Sequence, residues 1–176
     1  KSNPVIEDVD SAAATGRQNK VDVILAVGGG SVIDSSKIIS VTIPVQNPGW
    51  DFFTGKAKAK TAVPLVAILT LAATGTEMNP FAVVSNQALG QKSAFGSPLT
   101  FPKHSFLDPQ LTLTVPRDYT AYGIADLIAH CFEAWFGIGE TTLTDRFVIS
   151  IVQEAMEFGP KLLDDLQNYE YREKIM

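Results

Sequence analysis

Two apolar runs organise the first part of this chain. Residues 21–27 (VDVILAV) are β-branched and apolar apart from Asp22, the pattern of a strand buried on both faces. Gly28, Gly29, Gly30 and Ser31 follow. Val32, Ile33, Ser36, Lys37, Ile38 and Ile39 then recur at helical spacing to about Thr42, where Pro44 stops the helix. Upstream, Asn3-Pro4 marks a turn, and Val9, Ala12 and Ala13 predict a helix over 6–17 that closes near Gly16. Residues 62–69 form the second apolar run and lead into a hydroxyl-rich loop, 70–77. Further strands are expected at 81–85 and 105–107, with a turn at 86–90 between them. Residues 48–53 read as a loop carrying exposed aromatics that gather in a small cluster.

After Pro116 the strand pattern disappears. One long helix is expected over 119–136, a second over 144–158 ended by Gly159-Pro160, and a third from Lys161. The fold class that follows is α/β with a largely parallel sheet, then all-α. The boundary is placed so that 1–115 and 116–176 are separate domains.

Composition narrows the function. The chain has 176 residues, 45% hydrophobic and 19% charged, as in an ordinary globular protein. A net charge of −5 without a basic stripe excludes a nucleic-acid binder. The longest apolar stretch, 62–73, is broken by Pro64 and Thr70 and is shorter than the roughly 20 residues of a membrane helix. No signal-peptide pattern is present. The single cysteine, Cys131, precludes an internal disulfide, so a reducing, cytoplasmic setting is expected. The chain starts at Lys1 and stops at Met176 inside a helical pattern, so a fragment is expected.

Strand, glycine turn and helix together put free backbone N–H groups and the positive end of a helix dipole at one point, where a diphosphate fits. The competing reading is a tight βα connection capped by an S-x-x-D box of Ser31 and Asp34. The loop 70–77 offers hydroxyls at a strand's C-terminal end, or else a turn held by its own Thr side chains. Asn79 and Lys92 can add an amide and a cation to a nucleotide, or serve as ordinary loop residues. Asp126 and His130 stand at i and i+4, on one helix face, where a carboxylate and an imidazole can share a metal ion. The alternative is a surface hydrogen bond between them. Their neighbours Ile124, Ala125, Leu127, Ile128 and Ala129 are apolar, so both are expected to be buried, and buried polar groups need a reason. Glu133 can orient His130 from one turn on. His104 is remote in sequence, and Cys131 points about 100° away around the helix. Two donors are fewer than the three or four that a zinc-type site uses.

Four segments in register, AVGGGSVIDSSK, ILTLAATGTEMN, LDPQLTLTVP and GIADLIAHCFEAWF, resemble the iron-containing (group III) alcohol dehydrogenase family. The likeness runs from about Asn3 to the end. The Trp50-Asp51 pair and TLAATGTEMN are similar to its butanol dehydrogenase branch of broad aldehyde reductases. The resemblance implies a dehydroquinate-synthase-like fold: a nucleotide-binding α/β domain and a helical metal-binding domain, both incomplete here, with the active site in a cleft. It implies that Gly28, Gly29, Gly30 and Ser31 hold the diphosphate of NADPH or NADH, with Asp34 near the nicotinamide. Thr70, Thr74, Thr76, Asn79 and Lys92 would line the cofactor site, and Leu111 and Thr114 would flank it. Asp126 and His130 match the first two ligands of a divalent metal, iron or zinc, with two further histidines expected beyond Met176. Thr76 stands where Ser is usual, and Ala73 where many members have Gly.

The implied reaction is metal-assisted hydride transfer between a primary alcohol and an aldehyde, in a homodimer. Dehydroquinate synthase is disfavoured by ATGTEMN, where a Gly- and Lys-rich segment is expected. Glycerol dehydrogenases usually depart from Ser31. A non-catalytic nucleotide-binding fragment is the remaining alternative, and the isolated chain is expected to be inactive.

Overall fold

The computed structural model describes residues 3–139 and 141–176. The chain divides into two compact units: the chain up to Leu69 together with Thr76–Phe106, and Thr70–Gly75 together with Leu107–Met176. The units change over at Phe106/Leu107, and the hydroxyl-rich loop 70–77 is split between them.

The α/β unit runs α1 (Ile6–Gln18), β1 (Ile24–Gly28), α2 (Gly30–Thr42), a single turn α3 (Trp50–Phe53), β2 (Leu65–Leu69), β3 (Phe81–Asn86), β4 (Gln91–Gly96) and β5 (His104–Leu107). Strands β1 and β2 pair in parallel, Ile24 opposite Leu65 through Gly28 opposite Leu69, in a three-stranded sheet of order β1-β2-β5. A second sheet, β3 with β4, is an antiparallel hairpin, Phe81 opposite Gly96 and Asn86 opposite Gln91. The expected parallel sheet is thus accompanied by an antiparallel one.

Helix α2 buries Ile33, Ile38 and Val41 completely. Ile38 joins Ile6 and Val9 of α1 and Ala82 and Val84 of β3 in one cluster. That cluster fixes the helix after the glycine turn. The two-faced burial expected of residues 21–27 is not observed: Ala26 is buried, whereas Leu25 and Val27 are more than half exposed. Strand β1 ends the sheet order, and α2 packs on it; among the described residues the face carrying Leu25 and Val27 stays open. The loop expected at 48–53 is also corrected. Residues Trp50–Phe53 form a helical turn with Phe52 buried, and the aromatics do cluster: Trp50 stacks on Phe53 at 4.9 Å, and Phe95 lies 5.5 Å from Phe52.

The helical unit contains α4 (Arg117–Trp135), α5 (Thr142–Asp164) and α6 (Tyr169–Ile175). Ile124, Ala155, Leu162 and Ile175 form its core. Helix α5 passes through Gly159-Pro160 rather than ending there. An internal proline forfeits one helical hydrogen bond, and here packing on both sides compensates. Gly159 lies under Ile124, where an added Cβ would come within 3.2 Å of Ile124 Cγ2, and Leu162 is completely buried one turn on. The third helix accordingly starts at Tyr169, not Lys161, where Asn168 Oδ1 caps it by accepting from Tyr171 N at 3.1 Å. Buried Arg172 fastens α6 to the start of α4, donating to Thr120 Oγ1 (3.0 Å) and to the carbonyls of Val115 (3.2 Å) and Leu166 (3.0 Å). Among the described residues no helix is long and apolar enough to cross a membrane.

Candidate functional site

In the α/β unit, β1 ends at Gly28 and α2 begins at Gly30, with Gly29 in extended conformation as the N-cap. The carbonyl of Gly29 accepts from Val32 N (3.1 Å) and Ile33 N (3.2 Å). The N–H groups of Gly30 and Ser31 precede that first bond, so neither has a helical acceptor. Gly28 must lack a side chain, because a Cβ there would stand 2.5 Å from Val32 Cγ2. The S-x-x-D capping box does not form: no side chain caps α2. Asp34 turns instead toward the next segments, Oδ1 accepting from Thr76 Oγ1 (2.5 Å) and Oδ2 from Val83 N (2.9 Å). This removes the capping explanation for the turn and leaves two donors at a helix N-terminus, the arrangement that binds anions.

Asp34 and Thr76 belong to a polar cluster that contains a residue the sequence reading passed over. Lys37, with no exposed surface, sends its ammonium to Thr76 O (2.6 Å), Thr76 Oγ1 (2.7 Å), Phe81 O (2.7 Å) and Asn79 Oδ1 (3.2 Å). Asn79 Oδ1 also accepts from Phe81 N at 2.9 Å. Burial holds the Lys37 pKa down at about 8, against the pull of Asp34 and Glu77. Burial raises that of Asp34, opposed by the hydrogen bonds from Thr76 and Val83 N and by the charges of Lys37 and Lys92. The one sequence signal for Lys37 was its position four residues after Ile33, on a face otherwise filled with buried residues.

The remaining cofactor expectations fall in different environments. Thr76 is buried with its hydroxyl committed to Asp34 and Lys37, so it shapes the turn from inside. Lys92 is exposed on β4, opposite Ser85, close enough to Asp34 to act on its charge. Thr70 is half-buried and Thr74 exposed, both in the segment grouped with the helical unit. There Gly75 adopts φ +62°, and Gly123 of α4 lets the helix approach the loop, since a Cβ on it would lie 2.5 Å from the Ala72 carbonyl oxygen. Leu111 and Thr114 are exposed around the turn Pro109–Thr112, whose first N–H groups are capped by Asp108.

In the helical unit the structure brings Asp126 and His130 onto one face of α4. The burial expected of them is corrected: their side chains are 42% and 47% exposed, because among the described residues nothing covers that face. Nε2 of His130 and Oδ2 of Asp126 are 3.6 Å apart, too long for a hydrogen bond. Two donors about 2.1 Å from one tetrahedral ion stand roughly 3.4 Å apart, a spacing that this i,i+4 pair matches as well as it matches an ordinary ion pair. Nδ1 of His130 lies 3.0 Å from Glu133 Oε2, which fixes the ring and leaves Nε2 as the free donor atom. A carboxylate oxygen and an imidazole nitrogen suit a divalent ion of the zinc or ferrous type. Among the described residues no group of three such side chains occurs, and His104 and Cys131 do not join the pair.

Comparison with known proteins gives concordant matches. The family model described as iron-containing alcohol dehydrogenase matches residues 1–109. The chain is 43% identical over 175 residues to Probable NADH-dependent butanol dehydrogenase 2 of Bacillus subtilis (strain 168), a match covering 99% of this chain and 45% of that protein. It is 37% identical over 178 residues to NADPH-dependent aldehyde reductase YqhD of Escherichia coli (strain K12), covering 99% and 46%. The crystal structure of NADH-dependent butanol dehydrogenase A from Thermotoga maritima superposes with a TM-score of 0.96 at 34% identity, over 99% of this chain and 44% of that one. The chain thus spans a little under half the length of the curated relatives it matches.

Proposed function

The chain belongs to the iron-containing alcohol dehydrogenase family, and from that premise we propose that the whole protein is a metal-dependent NAD(P)(H) oxidoreductase interconverting primary alcohols and aldehydes. The observation that carries this reading is the Asp126–His130 pair, a carboxylate and an imidazole brought onto one helix face at a separation one ion can bridge, with Glu133 within hydrogen-bond distance of the ring. The relatives named for NADH-dependent butanol dehydrogenase and NADPH-dependent aldehyde reductase activity support the substrate class.

Each unit contributes its own part. Gly30 and Ser31 offer backbone N–H groups to the cofactor diphosphate, and Gly28 lets the chain come close. Asp34, Asn79 and Lys92 supply the polar groups beside that turn. Asp126 and His130 would hold the metal, whose contribution when bound is Lewis acidity toward the substrate oxygen. The hydride belongs to the nicotinamide, and the protein's task is to orient it and exclude water.

In the full-length protein, Asp126→Ala and His130→Ala should each strip the metal and lower kcat/KM for butanal by about a thousand-fold or more, with the circular dichroism spectrum unchanged. Metal analysis beside steady-state kinetics decides, and activity retained after metal loss refutes the metal-dependent mechanism. A second reading, in which the 176-residue stretch alone binds nucleotide without turnover, is supported by the glycine turn, where the Gly30 and Ser31 N–H groups have no helical acceptor.

A further inference from the structure

Among the described residues Lys37 is the largest side chain with no exposed surface, and it is an ammonium. Three protons face four acceptors, all contributed by residues 76–81. The direction of the network is fixed by chemistry. Lys37 can only donate, so Thr76 Oγ1 accepts from it and spends its own proton on Asp34 Oδ1. Asn79 Oδ1 is shared between the ammonium and Phe81 N. A buried charge is retained only where it is fully engaged, and here its partners are one helix and the turn that follows β2. An apolar side chain would fill the same space without specifying where Thr76, Asn79 and Asp34 sit.

Resting on the cofactor reading proposed above, we infer that Lys37 is a positioning residue for the dinucleotide: its ammonium holds the Thr76–Met78 turn, Asn79 and Asp34 in the one arrangement the cofactor meets, without itself touching the cofactor. The charges of Asp34 and Glu77, which act on the ammonium, belong to the same device. Its effect is expected on cofactor affinity and not on the hydride step, since the side chain has no surface from which to reach a reacting atom.

The test uses the full-length protein, with NADH and NADPH each titrated by fluorescence and turnover of butanal measured at saturating cofactor. Lys37→Met should weaken binding of the preferred cofactor by about ten-fold or more while kcat changes by less than about three-fold. Unchanged affinity in a folded Lys37→Met protein overturns the inference and leaves the proposed function standing. If the unaltered protein binds neither nucleotide, it is the proposed function that fails.

Should Lys37→Met not fold, the unaltered protein still decides. The groups facing the ammonium are Asp34 of α2, Glu77, Thr76 and Asn79 of the turn segment and the Phe81 carbonyl of β3, with Lys92 of β4 acting on Asp34. Below about pH 8 the ammonium is intact; above it the neutral amine loses a donor and its charge. Affinity for the preferred nucleotide should therefore fall as pH rises through about 8, and a flat profile there overturns the inference.

Discussion

The two units carry their polar chemistry in opposite ways. In the α/β unit, Asp34, Lys37, Thr76 and Asn79 saturate one another, and the cationic member is wholly enclosed. In the helical unit, Asp126, His130 and Glu133 line the surface of one helix, with Glu133 74% exposed. In the first case the proposed cofactor-positioning role and the folding of the unit rest on the same bonds. In the second, these side chains can be removed without disturbing what holds the helix in place, which is the apolar cluster of Ile124, Ala155, Leu162 and Ile175.

Denaturation of the full-length protein can break that contrast. Asp34→Ala removes the acceptor of Thr76 Oγ1 and of Val83 N and strips a counter-charge from buried Lys37, so a loss of about 3 kcal/mol or more is expected. Asp126→Ala, on a half-exposed position and with the metal removed from both proteins by chelation, should cost no more than about 0.5 kcal/mol. Equal losses at the two sites would mean that the division into a self-saturated cluster and a free pair is wrong.

A smaller effect sharpens the comparison inside the helical unit. Gly123→Ala would press a methyl against the Ala72 carbonyl oxygen at 2.5 Å, and backbone cannot step aside as a side chain can. A destabilisation of about 2 kcal/mol is expected. Gly159→Ala meets only the Ile124 side chain, at 3.2 Å, so its cost should be clearly lower, reduced further because alanine favours a helix interior. If the two substitutions cost the same in urea unfolding, close approach of α4 to the loop is not what Gly123 provides.

What could be read from the sequence was local. The strand–glycine–helix unit, helix α1 and the shared face of Asp126 and His130 all follow from periodicity and spacing within a few residues. What could not be read depends on distant partners. Lys37 falls within the helical pattern of α2, but its partners, the carbonyls of Thr76 and Phe81, lie 39 and 44 positions on. Pro160 looks like a helix stop until Ile124 of another helix packs against Gly159. Strand β1 has the composition of a strand covered twice, and whether its second face is covered depends on what packs there, which no local pattern states. The exposure of Asp126 and His130 was missed for the same reason: apolar neighbours in sequence are not neighbours around a helix.

Gly75 gives the mildest test, and the cleanest in origin. Its φ of +62° lies in the left-handed region, yet a Cβ built on it meets nothing within 4 Å. Packing therefore contributes no penalty to Gly75→Ala, and the remaining cost is that of holding an L-residue in this backbone conformation, about 1 kcal/mol. Asparagine tolerates the region better, so Gly75→Asn should recover part of the loss. Equilibrium unfolding of the three proteins separates the contributions: alanine below asparagine below glycine identifies backbone strain. Identical stabilities would show that the loop relaxes out of the left-handed conformation, and Gly123 would then be the residue that holds it to α4.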